Sequence, residues 1–248
     1  MAKFCTNCGK ELKNGEVCDC KKNKKEEEAV VAVPVESTNG NASDMFNEVV
    51  SDVKGIFKKP IDTIKDNCDE KKFAKGIILN VILAVASGLF TLAVLDLLVS
   101  SISSLFGGYG YMMDGGSYST DYDAFEVFIK SAGFSLALTF VYTGLLYLVN
   151  TVMFKGKGTF KQMYSLFGVS SIVETCGYLL SALLVKVELT KWAICFWPLL
   201  AGSLLSMVYK YHMIKFIGPK DENKHGYIYL LTYALYIAAV VIILKVLN

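Results

Sequence analysis

Residues 77–99 read IILNVILAVASGLFTLAVLDLLV, an apolar run with one charged residue, Asp96. A helix of about 20 such residues crosses the roughly 30 Å hydrocarbon core of a bilayer. Four more runs of similar length follow, so the sequence predicts an all-α polytopic membrane protein with five transmembrane helices behind a small N-terminal domain. The predicted spans are approximately 77–99, 127–151, 164–186, 192–214 and 226–247, within a transmembrane domain of residues 76–248.

Charged residues are concentrated before the first span. The chain of 248 residues is 53% hydrophobic, yet 14 of its 25 lysines and 14 of its 23 acidic residues precede Ile77. The rest of the chain is therefore depleted in charge and suits a lipid bilayer as its partner. The formal net charge of +2 gives no basis for nucleic-acid binding, and nucleic acid is not an expected partner.

The loops between the predicted spans indicate the orientation of the chain. Lysines are concentrated in the second and fourth loops, whereas the first loop has aspartates and no lysine. The second loop contains Lys155, Lys157 and Lys161, and the fourth contains Lys210, Lys215, Lys220 and Lys224. The first loop contains Asp114, Asp121 and Asp123. Because lysine-rich loops stay inside, we expect a multi-pass protein of the cell membrane with its N-terminus in the cytoplasm and its C-terminus outside.

Four of the seven cysteines lie in the first twenty residues. Residues 4–20 read FCTNCGKELKNGEVCDC, in which a turn at Asn-Gly brings Cys18 and Cys20 back towards Cys5 and Cys8. No apolar segment begins near the N-terminus, so we expect the cytosol, where clustered thiolates favour metal over disulfides. Four thiolates predict a zinc ribbon with a tetrahedral structural zinc ion. The second pair is CxC rather than CxxC, and a redox-active pair or a ribbon without its ion are the alternatives.

Two segments connect the predicted ribbon, residues 1–21, with the spans. Residues 22–43 are rich in lysine, glutamate and small polar residues and cannot bury enough surface to fold, which predicts a disordered linker. In residues 44–75 the apolar residues recur at helical spacing, which predicts juxtamembrane amphipathic helices. Nearby lysines favour a position against anionic lipid at the inner interface. Packing on the cytosolic ends of the spans is the alternative.

Polar residues inside the predicted spans are candidates for an intramembrane site. Glu174 lies near the middle of the third span, where a charge costs about 2.5–3.5 kcal/mol and where acids often mark ion or proton paths. The alternative is a protonated Glu174 that hydrogen-bonds a neighbouring helix. Asp96 and Lys130 lie near the outer ends of two successive spans, and we expect them to pair. Asn80 and Asn150 lie near the inner face and are expected to link helices.

Each predicted span also contains two small residues four positions apart, a spacing that lets helix backbones approach closely. The pairs are Ala84/Gly88, Gly133/Ala137, Gly177/Ser181, Gly202/Ser206 and Ala234/Ala238. Small residues are common in spans, so some of these pairs arise by chance.

Catalytic motifs are missing from the sequence. GxSxG, HExxH, P-loop and GxGxxG patterns do not occur in a usable context. The spans also contain no Ser/His or paired-Asp set of the kind that an intramembrane protease needs. We therefore do not expect an enzyme.

Two segments resemble the Yip family of five-span membrane proteins. Residues 55–76 begin GIFKKPIDTIK and lead into the first span, similar to a Phe-x-x-Pro segment of bacterial relatives, and residues 157–161, KGTFK, resemble a loop that leads into a family helix. The resemblance covers residues 45–248, and the ribbon in front is similar to proteins of low-GC Gram-positive bacteria. Eukaryotic Yip proteins act in vesicle traffic with small GTPases. Because a bacterium lacks that pathway, the resemblance implies only a scaffold.

Two functions fit these features. The first is a membrane scaffold or interaction protein that presents the cytosolic zinc ribbon to a protein partner, with the linker giving the ribbon reach. The second is a small permease or channel that uses Glu174, with Asn80 and Asn150 along the path. The odd number of spans and the absence of an evident inverted repeat argue against a transporter, unless it forms a homo-oligomer.

Overall fold

The computed structural model describes residues 3–4, 11–12, 42–110, 123–187 and 192–247. The chain divides into two units, Met1–Asn41 and Ala42–Asn248. In the first unit, strands β1 (Lys3–Phe4) and β2 (Glu11–Leu12) pair antiparallel, with Lys3 opposite Leu12 and Phe4 opposite Glu11. The predicted zinc ligands Cys5, Cys8, Cys18 and Cys20, and the predicted linker as far as Asn41, lie outside the described residues.

The second unit is a bundle of α-helices. Its helices are α1 (Ala42–Lys58), α2 (Pro60–Asp66), α3 (Phe73–Gly110), α4 (Ala124–Tyr147), α5 (Phe160–Ser170), α6 (Ile172–Lys186), α7 (Trp192–Cys195), α8 (Trp197–Ile217) and α9 (Asn223–Leu247). A 3₁₀ turn at Glu70–Lys72 precedes α3, and α4 continues into a π-helical turn at Leu148–Met153. A capping box begins α5, since Thr159 accepts from the Gln162 amide while the Gln162 side chain accepts from the Thr159 amide.

Three helical stretches of the described chain are long and apolar enough to cross a membrane, or four if a bent pair counts as one. They are Glu70–Val99, Ala124–Met153 and Asn223–Val246, with Phe160–Ser170 plus Ile172–Lys186 as the bent pair. The predicted number of five spans is therefore not confirmed. The predicted fourth span corresponds to α7 and α8, and the second half of α8 is polar because it contains Lys210, His212 and Lys215.

Two predicted spans are broken in the structure. The third bends by 41° at Ser171, between α5 and α6. Hydroxyl groups beside the break bond to backbone carbonyls: Ser170 donates to Phe167 and Thr175 donates to Ser171. The predicted fourth span breaks at Phe196, and Pro198 lies in the first turn of α8, where its missing N–H disturbs no helical hydrogen bond.

The first predicted span is part of a longer helix, because α3 has 38 residues.

The core lies where α3 packs against α4, α5 and α6, and where α6 packs against α8. Among the predicted small-residue pairs, Ala84/Gly88, Gly177/Ser181 and Gly202/Ser206 are buried, whereas Gly133/Ala137 and Ala234/Ala238 are exposed on the outer surface of the bundle. At Gly177 a Cβ atom would lie 2.7 Å from the carbonyl oxygen of Pro198 on α8. Close backbone contact therefore holds α6 against α8. The exposed pairs Gly133/Ala137 and Ala234/Ala238 do not pack helices together in this way.

A glycine outside these pairs makes the closest helix contact. At Gly76 an added Cβ would lie 2.3 Å from the Cα of Ser165, so α3 touches the backbone of α5. We expect Gly76→Ala to destabilise the bundle by about 2–3 kcal/mol, because neither backbone can move without disturbing the core. Gly133→Ala is the matched control, since a Cβ at Gly133 meets no atom within 4 Å. Detergent-induced unfolding curves of the two variants would measure the difference, and equal midpoints would contradict the close approach.

Helices α1 and α2 pack on the bundle. Ile56 and Ile64 are fully buried, and the hydroxyl of Tyr209 on α8 donates to the carbonyl of Ile56 at 3.4 Å. Helices α1 and α2 therefore pack on the helix bundle, and the side of the membrane on which they lie stays a prediction. Phe46 and Phe57 remain 67% and 58% exposed on α1, so the helix also retains an apolar surface.

A buried polar cluster joins α1 and α2 to the start of α3. The ammonium group of Lys75 lies 2.6 Å from an oxygen of Asp52 and 3.6 Å from Glu48. The other oxygen of Asp52 accepts a hydrogen bond of 3.1 Å from the side-chain amide of Asn67. The Lys75 side chain is 4% exposed and that of Asp52 is 12% exposed. Each buried charge is therefore compensated within the cluster.

The thiol of Cys68 lies just after α2, outside the membrane-spanning segments. Burial, together with the carboxylate of Asp66, raises the pKa of Cys68 from its ordinary value of 9.0 to about 11, against the smaller opposing influence of Lys65 and Lys72. At pH 8 the thiolate fraction is then about 100-fold below that of an unperturbed thiol. We expect N-ethylmaleimide to modify Cys68 about 100-fold more slowly in the folded protein than in the denatured protein, with the rate rising about tenfold per pH unit until pH 11. Mass spectrometry of the Cys68 peptide measures both rates, and equal rates would contradict the shift.

Candidate functional site

The predicted site residue Glu174 lies in the first turn of α6, just after the bend at Ser171. Its side chain is 19% exposed, and one carboxylate oxygen lies 3.1 Å from the ammonium group of Lys210 on α8. Lys210 is 7% exposed. The buried Lys210 and the partly buried Glu174 therefore form an ion pair between the broken span and α8.

Lys210 is a site residue that the sequence analysis assigned wrongly, as a loop charge. It lies inside α8, which runs to Ile217, and it points into the bundle. The sequence did contain a signal, since Lys210 lies within the apolar run that predicted the fourth span. A lysine in such a run needs a buried partner, and Glu174, 36 positions earlier, provides it.

Aromatic rings surround the ammonium group of Lys210. It lies 4.3 Å from the centre of the Phe167 ring and 5.7 Å from the centre of the Tyr142 ring. The negative face of an aromatic ring attracts a cation, and the attraction strengthens away from water. Tyr142 in turn makes edge contacts with Tyr233 and Tyr236 on α9, at 5.4 Å between ring centres in each case. The ion pair is thus embedded in an aromatic cluster.

A cavity of about 260 Å³ opens beside this ion pair. Helices α3, α4, α5, α6, α8 and α9 all contribute to its wall. Both charged partners and most of the aromatic cluster line it, together with the hydroxyl-bearing side chains Ser135, Thr139, Tyr178 and Ser203. The Tyr142 hydroxyl is buried and lacks a hydrogen-bond partner of proper geometry among the described residues. The cavity can therefore offer a polar ligand both charges and several hydrogen bonds.

The expected pair between Asp96 and Lys130 is wrong. Asp96 pairs with Lys186 at the end of α6, and Lys130 pairs with Glu126 one turn earlier on α4, at 2.5 Å. Lys130 is 75% exposed and Asp96 is 41% exposed, so neither lies in the polar cavity. Lys130 lies on the outward face of α4, where its acidic partner is Glu126 on the same helix.

The predicted residues Asn80 and Asn150 both form hydrogen bonds between elements. Asn80 on α3 donates to the carbonyl of Tyr164 on α5 at 3.0 Å, and Asn150 in the π-helical turn donates to the carbonyl of Ile217 at 3.1 Å. Both residues are fully buried. Neither lines the cavity, so the structure does not join them to Glu174.

In the comparison with protein families, residues 54–245 match the Yip1 domain. The chain belongs to the Yip1 family. The family consists of membrane proteins involved in vesicle trafficking and not known as enzymes. No curated protein and no solved structure matches the chain. The resemblance to the Yip family is thus confirmed. The two segments on which it was based, residues 55–76 and 157–161, both lie inside the matched range.

The Yip1 domain begins at Lys54, within α1, and contains both Glu174 and Lys210. Lys75 lies in the domain, whereas its partner Asp52 lies two residues before it. The cysteine-rich segment also precedes the matched range. Within the described part of the chain, no group of three or more His, Cys, Asp or Glu residues could hold a metal ion.

Proposed function

We propose that this Yip1-family protein is a membrane scaffold that presents a zinc ribbon to a protein partner. Its helix bundle anchors the chain, and the segment before residue 54 carries the binding surface. The donor set of Cys5, Cys8, Cys18 and Cys20 fits zinc, because four thiolates close a tetrahedral coordination shell and leave no position for catalysis. Zinc bound there would fold a segment too short for a hydrophobic core of its own.

One structural observation carries the proposal: the buried pair between Lys75 and Asp52 fixes α1 to the bundle. Asp52 lies before the matched range, so the part of α1 that precedes the family domain is held to the bundle by a contact of its own. A fixed α1 would give the predicted linker a defined point of attachment, from which the ribbon could reach a partner.

Crosslinking in cells followed by affinity capture from membranes tests this function. We expect Cys5→Ser combined with Cys8→Ser to lose both bound zinc and a specific set of captured proteins. The matched control replaces Cys68 and Cys176 with serine, which removes two thiols of the bundle and should leave zinc and partners unchanged. Captured proteins that are the same in the wild type and in the zinc-free variant would overturn the scaffold function.

The cavity beside Glu174 and Lys210 favours a second candidate function, transport of a small polar solute. The ion pair argues against a simple proton path, because Glu174 already has a compensating cation at 3.1 Å. Flux of a solute into proteoliposomes tests this candidate. Loss of flux on neutralising both charges, with flux retained after loss of the N-terminal cysteines, would favour transport over the scaffold.

A further inference from the structure

We propose that the cavity between the helices binds a small zwitterion, with the ligand's ammonium group at Glu174 and its anionic group at Lys210. This inference concerns the cavity alone and does not rest on the proposed function. It follows from the charge of the cavity, the hydrogen-bonding capacity of the ion pair, the aromatic wall and the available volume.

The charge of the cavity selects a net-neutral ligand. Glu174 and Lys210 compensate each other at 3.1 Å, so the site is neutral before a ligand enters. A ligand with a net charge would leave one charge uncompensated in the cavity, which weakens its binding. A zwitterion adds one charge of each sign, and each meets its opposite in the protein.

Both partners of the ion pair have capacity for a further contact. The ammonium group of Lys210 has three N–H donors, and one of them meets a single oxygen of Glu174. The carboxylate of Glu174 retains its second oxygen for an incoming ammonium group. A zwitterion can therefore extend the pair into a ring of four alternating charges without removing the existing contact.

The wall of the cavity suits an organic ammonium group. Tyr178 on α6 and Tyr236 on α9 line the cavity together with Tyr142, and aromatic faces stabilise alkylammonium groups. The Tyr142 hydroxyl, buried without a well-placed partner, would gain a hydrogen bond from a polar ligand. The same wall already holds one ammonium group, that of Lys210, above Phe167.

The volume of about 260 Å³ limits the size of the ligand. A cavity of this volume holds several water molecules and admits a small organic ligand. An α-amino acid and the ethanolamine phosphodiester headgroup of a phospholipid are both small and carry this pair of charges. The chemistry is shared, and the source is either free solute or membrane lipid.

Calorimetric titration of the full-length protein in detergent tests the inference. The two probes are L-alanine for the free solute and sn-glycero-3-phosphoethanolamine for the lipid headgroup. Ethanolamine, with one positive charge, and glycerol 3-phosphate, with about two negative charges at neutral pH, serve as ligands with a net charge. Native mass spectrometry of the protein taken from mixed phospholipid vesicles then reports whether phosphatidylethanolamine is retained.

We expect at least one zwitterion to bind saturably and about tenfold or more tightly than either charged analogue. Alanine binding alone identifies a free solute, whereas headgroup binding with retained phosphatidylethanolamine identifies a lipid. The variant Glu174→Gln/Lys210→Met should lose this binding, and it leaves no unpaired charge that would prevent folding. The matched control Asp96→Asn/Lys186→Met removes the exposed ion pair and should bind as the wild type does.

Three results would overturn the inference. The first is that neither zwitterion binds to the folded wild-type protein. The second is equal binding by the wild type and by the doubly neutralised variant. The third is binding of ethanolamine or glycerol 3-phosphate as tightly as that of the zwitterions, because the cavity would then not select for net charge.

Discussion

Lys210→Met is expected to destabilise the helix bundle by about 3–5 kcal/mol, because it leaves the carboxylate of Glu174 buried without its cation. The partners lie 3.1 Å apart and are only 7% and 19% exposed, so the carboxylate loses the cation that compensates it at short range. The substitution also removes the ammonium group from the face of Phe167. The free energy of unfolding, from denaturing-detergent titration of the purified protein, measures the loss.

The double variant Lys210→Met/Glu174→Gln separates the charge from the packing. It keeps the side-chain volumes similar and removes both charges, so we expect it to regain most of the lost stability. Neutralising the pair of Asp96 and Lys186 should change stability by about 1 kcal/mol or less, because both side chains are exposed. If the single and double variants of the buried pair were equally unstable, the ion pair would not be the cause.

Lys75→Met is expected to cost about 3 kcal/mol and to release α1 and α2 from the bundle. It leaves Asp52 buried with only the Asn67 amide to stabilise its charge, since the 2.6 Å contact to the ammonium group is lost. Hydrogen exchange followed by mass spectrometry should show faster exchange in residues 42–66, while α4 and α9 keep their protection.

Lys54→Met provides the control for this prediction, because Lys54 lies on α1 with an exposed side chain and its loss leaves no buried acid. We expect this control to exchange as the wild type does. Asp52→Asn added to Lys75→Met should restore protection, since a neutral amide can still bond to Asn67. Unchanged exchange in Lys75→Met would show that the apolar contacts of Ile56 and Ile64 hold the two helices without the pair.

These two ion pairs bear on function in different ways. The pair of Lys75 and Asp52 joins the family domain to the sequence in front of it, which is the part that the scaffold proposal needs. The pair of Glu174 and Lys210 lines the cavity and defines its neutral charge. Loss of the first should therefore weaken presentation of the N-terminal segment, and loss of the second should weaken ligand binding.

The sequence alone predicted a helical membrane protein, because the length and apolarity of a helix that can span a bilayer are local properties. Three of the predicted spans lie in single helices that meet these limits, and the third predicted span is the bent pair α5 and α6. The resemblance to the Yip family was also visible in local segments, and the family match confirms it. The zinc ribbon and the orientation of the termini stay predictions.

The tertiary structure alone decided which charges meet. Glu174 was recognised from its unusual position in an apolar run, but its partner Lys210 lies 36 residues away, and Asp96 meets Lys186 across 90 residues rather than Lys130. Which side chains face each other depends on how each helix is rotated and on where a span bends, as at Ser171. The hydrophobicity of a segment determines whether it enters the membrane as a helix. The close backbone contacts at Gly76 and Gly177 determine how each helix is rotated about its axis, and this rotation brings the charged partners together.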